Sequence, residues 1–386
     1  MRKCKSSWLE TYCEYSRFQQ APARFHVWTG VSLLASVANR KIFMDRAFYT
    51  IFPNMYICMV GPTGITKTTA TDMGMELLET IPNMTIIKGK ATSFYLYDLL
   101  GKRAASSQDC VVTIYSQELK NLLEGVSKTE LITMLTELFG CPANSSYYTK
   151  TGGQLKLRNV CFNILASSTP EWLTVGTTLD EISGGFTGRF VYVYANDERS
   201  VAFPEDFVTQ DVAALKQDLI DDLRHIATLA GQFTITNQAK AEYIAWYNNR
   251  RVEWTDERLI GYYARKGDLV FKLSMLLALS GGDALVIDES ILKVAWEMLK
   301  KIEVEMGEAF SGVVADPVLR YKDAVLSQIV RSPGQRTTRA DILKKNWNRF
   351  DGIVLDRIIN NLAEARMITH KHEQGQVWYT VSNTQP

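Results

Sequence analysis

The sequence is poor in the residues that build metal centres and disulfide frameworks. Its 386 residues include six cysteines and four histidines. Cys4, Cys13, Cys58, Cys110, Cys141 and Cys161 are scattered, none forms a C-x-x-C pair, and most sit in apolar runs. That excludes a zinc ribbon or a disulfide staple and fits a reducing, cytoplasmic setting. His370 and His372 alternate on a predicted strand and read as wing residues, not as metal ligands; no Ser/His/Asp constellation is evident. An excess of one charge is also missing. The net charge is +1 with 22% charged residues, so any nucleic-acid surface must be local. No apolar run reaches membrane-spanning length, and "MRKCKSSWLETYCEY" turns polar too soon for a signal peptide. There is no internal repeat or low-complexity tract. What remains is a globular chain of ordinary composition, long enough for two or three domains.

Periodicity divides it. From Ser7 to about Arg40 the apolar spacing is helical, interrupted at Pro22. "NMYICMV" has buried-strand length and ends at Gly61, and "TKTTATDMGMELLETI" then reads as a helix. "CVVTIYSQEL" is a second strand ending in Glu118. "SSYYTKTGGQLKLRNV" is a hairpin, "NVCFNILASSTPEW" a third strand with a polar end, and "GGFTGRFVYVYA" a turn, an arginine and a fourth strand. This alternation predicts an α/β fold with a mainly parallel sheet. Beyond it, the pattern from about Asp211 to Phe310 is helical. From Val318 onward, three helices and a strand pair resemble a winged helix-turn-helix with Gln374-Gly375-Gln376 at the wing tip. The expected domains are an N-terminal helical segment (1–45), a P-loop core (46–200), a helical lid (201–312) and a winged helix (318–386).

"GPTGITKTTA" lies between a strand and a helix, the context of a phosphate-binding loop. The pattern G-x-x-x-x-G-K-[ST] is met by Gly61, Lys67 and Thr68, but Thr66 stands where the second glycine belongs. The loop residues Gly61, Pro62, Thr63, Gly64, Ile65, Thr66, Lys67, Thr68 and Thr69 are therefore the expected ATP cradle. Backbone N–H groups and a helix N-terminus form the anion nest, Lys67 reaches the β- and γ-phosphates, and Thr68 holds Mg²⁺. The missing glycine matters if Thr66 must adopt a backbone conformation costly for a β-branched residue.

"GPTGITKTTA", "VVTIYSQEL", "LASSTPEWL" and "SGGFTGRFVYVYA" occur in the order and approximate spacing of AAA+ ATPases. They most resemble a phage and mobile-element family of primase-helicase C-terminal type, related to superfamily 3 and MCM-like helicases. The resemblance runs from about His26 to Ala195 and more weakly through the helical region. That family tolerates a non-glycine before the P-loop lysine.

The resemblance implies specific roles. Glu118 is the Walker B glutamate that deprotonates the attacking water, with Glu137 as the fallback base. Gln117 replaces the usual Walker B aspartate, leaving Mg²⁺ to Thr68, phosphates and water, or to Ser116 as an outer partner. Ser168 is the sensor 1 candidate among Ser167, Ser168 and Thr169; a plain helix cap before Pro170 is the competing reading. Arg189 is the arginine finger inserted from a neighbouring subunit, which implies a homo-hexamer or other ring. Arg265, with Lys266 or Lys272 behind it, is the sensor 2 residue of a lid helix. Tyr148, Lys150 and Lys156, with Tyr147, belong to a pore hairpin that tracks single-stranded or forked DNA. A primase or other replication protein is a further partner, and a phage-encoded chain would work in the bacterial host cytoplasm. In the C-terminal module the helix "IVLDRIINNLAEARMI" is apolar with mixed charges, so phosphate or protein contact fits as well as base reading.

Three functions stay open at this level. One is a ring-forming, ATP-driven DNA helicase or translocase for phage or mobile-element replication. Another is an AAA+ loader or initiator without unwinding. The third is a non-catalytic DNA-binding assembly module, supported by Thr66 and Gln117 alone.

Overall fold

Strands in roughly the first half of the chain set the position of the loop. A short hairpin, β1 (Ile42–Asp45) and β2 (Thr50–Ile51), precedes β3 (Tyr56–Val60), and β4 (Ile86–Lys88) and β5 (Val111–Ser116) follow. A second hairpin, β6 (Asn144–Thr149) and β7 (Gly153–Arg158), leads into β8 (Cys161–Ser168), and β9 (Phe190–Tyr194) comes last. The computed structural model describes residues 2–106, 108–123, 128–149, 153–176, 185–197, 199–207, 209–310, 321–347, 350–373 and 376–382. They fall into two compact units, Met1–Ser311 and Gly312–Pro386.

The first unit is built on a five-stranded sheet of order β4-β5-β8-β3-β9, parallel throughout. β3 and β8 are buried at every position, which is why their sequences read as unbroken apolar runs without alternation. β4 was not legible in the sequence; it has three residues and sits at the edge. Register aligns Val60 with both Ser168 and Tyr194, and Ser116 with Ala166. The carboxyl ends of all these strands therefore open on one side, where α/β sheets bind ligands.

The segments expected as N-terminal helices, core and lid share one unit. Helix Trp8–Tyr15 starts at a capping box in which Ser7 and Glu10 bond each other's backbone. Helix Ala23–Ala38 is almost wholly buried and packs on the helix Lys67–Glu79. The two backbones approach so closely that a side chain at Gly74 would meet Thr29 Cγ2 at 2.3 Å. The helical region is tied back to the N-terminus. β10 (Gly231–Gln232) pairs in parallel with β1, Trp8 Nε1 donates to Leu219 O at 3.0 Å, and helix Lys266–Gly281 packs on Ala23–Ala38. β11 (Thr234–Ile235) and β12 (Val286–Ile287) form a separate parallel pair. Among the described residues no helix is long and apolar enough to cross a membrane.

In the second unit, helices Lys322–Arg331, Arg339–Lys345 and Gly352–Glu364 enclose a core of Val325, Ile329, Ile342, Leu355, Ile358 and Leu362. Against it lies an antiparallel sheet of β13 (Arg336–Thr338), β15 (Gln376–Val381) and β14 (Ile368–Glu373), in that spatial order. The sequence reading had the three helices and the strand pair but not β13. Gln374 and Gly375 lie outside the described residues.

Candidate active site

The loop after β3 owes its shape to close contacts and to two left-handed residues. Ala195 N donates to Val60 O at 2.9 Å, so the end of β9 runs beside Gly61; a Cβ there would sit 2.4 Å from Ala195 O. Gly64 adopts φ +95°, which glycine takes without steric cost. Thr66 sits at φ 53°, ψ 30°, the left-handed region. The position where a glycine is expected is thus one that favours glycine, and threonine holds it at a cost of about 1–2 kcal/mol. Its Oγ1 is buried with no hydrogen-bond partner among the described residues. Ile65, buried beneath the loop, anchors it from below.

Lys67 Nζ donates to Gly61 O at 2.7 Å and to Pro62 O at 2.8 Å. Burial pushes its pKa down, while Cys58, Glu171 and Glu118 pull the other way. A cavity of about 730 Å³ opens over it, lined from the loop by Thr63, Gly64, Thr66, Lys67 and Thr68. Thr69 is exposed and takes no part in the lining, since the helix turns it to solvent. The opposite wall comes from the ends of β5 and β8: Gln117, Glu118, Lys120, Ser167, Ser168, Thr169, Glu171 and Trp172.

Ser116 Oγ donates to Glu118 O at 2.7 Å and closes the turn out of β5, so its hydroxyl is spent on the backbone. Asn121 Nδ2 donates to Glu118 Oε2 at 3.3 Å and steadies the carboxylate at the cavity wall. Glu137 does not line the cavity; the second acid there is Glu171, which the sequence reading did not single out. At the end of β8, Ser168 Oγ donates to Thr169 O at 3.3 Å, while Ser167 Oγ is buried with no partner among the described residues. Thr169 is the helix cap: its Oγ1 accepts from Trp172 N at 3.3 Å. Ser167 and Ser168 both line the cavity, the favoured Ser168 included.

The polar atoms here are oxygens, amides and one ammonium. Among the described residues no group of three or more His, Cys, Asp or Glu could hold a metal by itself. Thr68, Gln117 and Glu118 offer hard oxygens, a set that fits Mg²⁺ held jointly with phosphates and water. Gln117 turns its amide nitrogen to Asp72 on the loop's helix, 3.4 Å from Oδ1 and 3.3 Å from Oδ2.

Arg189 and Arg265 are elsewhere. Arg189 precedes β9, whose first residue pairs with Tyr56 and whose last pairs with Val60. It is thus at the amino end of the sheet, about 13 Å or more along the strand from its own loop. Arg265, expected over the phosphates, lies beside Arg189: a side chain at Gly185 would be 3.0 Å from Arg189 Nη1 and 3.6 Å from Arg265 Nη2. Close backbone packing of Gly188 on Gly261 brings the two turns together. Among the described residues their hydrogen bonds go to backbone carbonyls, Gly185 O and Gly261 O. Burial, then the like charge of Arg265, lowers Arg189 to about 10. Lys266 and Lys272 are spent internally, the first on Glu253 and Glu303 at 2.6 and 2.8 Å, the second on Asn54 O at 3.1 Å and the Phe139 ring at 4.4 Å.

In the β6–β7 hairpin, register decides what is presented. Tyr148 pairs with Gln154 and Ser146 with Lys156, so Tyr148 and Lys156 share one face, and both are exposed. Tyr147 faces the other way, stacked on Tyr97 at 3.6 Å and donating to Glu130. Lys150 lies outside the described residues. In the second unit, Arg339 is bound by both oxygens of Asp356 and Arg336 by Glu373, which removes two cations from its basic set. His370 and His372 are exposed neighbours on β14. No family model matches this sequence, and no curated protein matches it either.

Proposed function

We propose that the chain is an ATP-dependent, ring-forming DNA helicase or translocase of AAA+ type, serving phage or mobile-element replication. The observation that carries this reading is the convergence, on one cavity, of the Lys67 loop, the Glu118 strand end and the Ser167–Ser168 strand end. The strand order supports it as well, because β8 lies between the loop strand and the Glu118 strand. The order of elements in the second unit supports a winged helix.

In this reading the triphosphate binds over the helix N-terminus, and Lys67 exchanges two backbone carbonyls for phosphate oxygens. Thr68 would hold Mg²⁺ together with the phosphates, and the ion would supply charge neutralisation. A water oxygen bonds to the γ-phosphorus as the bond to the β,γ-bridging oxygen breaks; Glu118 takes the water's proton, and ADP and phosphate leave. Arg189 and Arg265 are too far from their own loop for this chemistry. As a pair of half-buried guanidinium groups whose hydrogen bonds, among the described residues, go to backbone carbonyls, they suit the phosphates of a neighbouring copy, so hydrolysis requires a ring. Tyr148 and Lys156 give the hairpin an aromatic face and a cation for single-stranded DNA.

The test is nucleotide hydrolysis with and without single-stranded DNA, in the wild-type chain and in Lys67→Ala. Wild-type turnover that DNA stimulates and the variant lacks is the expected result. Unchanged nucleotide affinity in Lys67→Ala would sink the assignment. Strand displacement from a forked duplex separates the helicase from a loader that hydrolyses ATP without unwinding.

A further inference from the structure

The acid missing from position 117 has a counterpart across the sheet–helix interface. Asp72 follows Thr68 by four residues, so it lies one helical turn further along the same face. That face meets the end of β5. Tyr115 Oη donates to Asp72 Oδ1 at 2.6 Å, and Tyr115 Oη lies 2.9 Å from Thr71 Oγ1. Gln117 Nε2 completes the set at 3.4 and 3.3 Å from the two carboxylate oxygens. Among the described residues the partners of this carboxylate are neutral, a phenol and an amide.

The consequence for Gln117 is an orientation. A carboxylate accepts and does not donate, so it fixes the NH₂ end of the amide toward Asp72. The carbonyl oxygen Oε1 is then the atom left for the cavity that Gln117 lines with Thr68. A negative charge behind the NH₂ group also polarises the amide and makes Oε1 a stronger acceptor. An acid and an amide in series can present to a cation's water shell what a single aspartate presents directly, much as a carboxylate behind a ligating histidine tunes zinc.

We propose that Asp72 is the positioning residue of the divalent-cation site, orienting the Gln117 amide and supplying the negative charge that position 117 lacks. The inference rests on the nucleotide reading above. It explains how a Walker B strand can end in Gln117-Glu118 and still serve Mg²⁺: the charge comes from the loop's own helix.

The experiment is binding, not turnover. A fluorescent non-hydrolysable ATP analogue is titrated onto the full chain over a range of MgCl₂, and the half-maximal magnesium concentration is read. Asp72→Asn keeps the shape and removes the charge; it should raise that concentration by roughly 10-fold or more. Gln117→Asp in the Asp72→Asn background returns the charge one side chain nearer and should restore the wild-type value. Gln117→Leu, which leaves Asp72 intact, should shift it in the same direction as Asp72→Asn and stands in if that variant fails to fold. Tyr115→Phe, which removes a hydrogen bond to Asp72 but no charge, should change it less than 3-fold. An unchanged magnesium midpoint in both Asp72→Asn and Gln117→Leu, with the analogue still bound, overturns the proposal and leaves the nucleotide reading standing. A shift in Asp72→Asn that Gln117→Asp does not restore also overturns it, since Asp72 would then act only by packing. Absence of analogue binding by the wild-type chain at any magnesium concentration overturns both.

Discussion

Replacing Thr66 tests the loop at its most unusual residue. Threonine at φ 53° bears about 1–2 kcal/mol of left-handed strain. Its buried, unpartnered hydroxyl adds about 1 kcal/mol in the nucleotide-free protein. Glycine removes both. Against this, glycine loses about 0.5–1 kcal/mol to the freedom of the unfolded chain. The lost methyl group, only half-buried here, forfeits roughly half of the ~0.8 kcal/mol of full burial. The balance favours Thr66→Gly by about 1 kcal/mol, a rise in melting temperature of roughly 1–3 °C for a unit of this size. Thr66→Ala is the informative control: it also loses the hydroxyl and the methyl but keeps a Cβ at positive φ. Glycine should therefore exceed alanine in stability by about 1 kcal/mol. Thermal melts of the three proteins without nucleotide decide it. Alanine equal to or above glycine would refute the left-handed geometry. A tenfold loss of ATP affinity in Thr66→Gly would show instead that the hydroxyl works on the ligand.

Other outcomes follow from the same geometry. Glu118→Gln should keep nucleotide binding and lower turnover by ~10²-fold or more; if it does not, Glu171→Gln should, because Glu171 is the other acid on the cavity wall. Mixing Arg189→Ala with Lys67→Ala subunits should partly restore hydrolysis, and Arg265→Ala should behave like Arg189→Ala in the same mixture; no recovery at any ratio, with normal assembly, counts against action across subunits. Lys156→Ala and Lys150→Ala should impair DNA-stimulated hydrolysis while basal turnover stays near wild type, with the defect greatest at low salt. Gly74→Ala should lower stability by about 1–3 kcal/mol in a denaturant titration, since its Cβ would meet Thr29 at 2.3 Å between two packed helices.

Local chemistry was legible from the sequence because strand, turn and helix signals are local. The run before Gly61, the Lys67-Thr68 pair, the carboxylate closing β5 and the hairpin before β8 all stand where periodicity put them. So does the conflict at Thr66, because the backbone demanded of a P-loop residue follows from the pattern itself. Contacts between distant residues were not legible. Asp72 and Gln117 are 45 positions apart in sequence and meet only because β5 packs beside the helix that follows β3. Arg265 was assigned by its place on a helix, but Gly188 against Gly261 draws that helix to the amino end of the sheet and sets it beside Arg189. Tyr147 and Tyr148 look alike in sequence; the two-residue period of a strand sends one to Tyr97 and the other to solvent, and only the register says which. The sequence thus determined the chemical groups and their local backbone, which depend on neighbours along the chain. The tertiary structure decided which groups share a cavity, which depends on close approaches that no local pattern encodes.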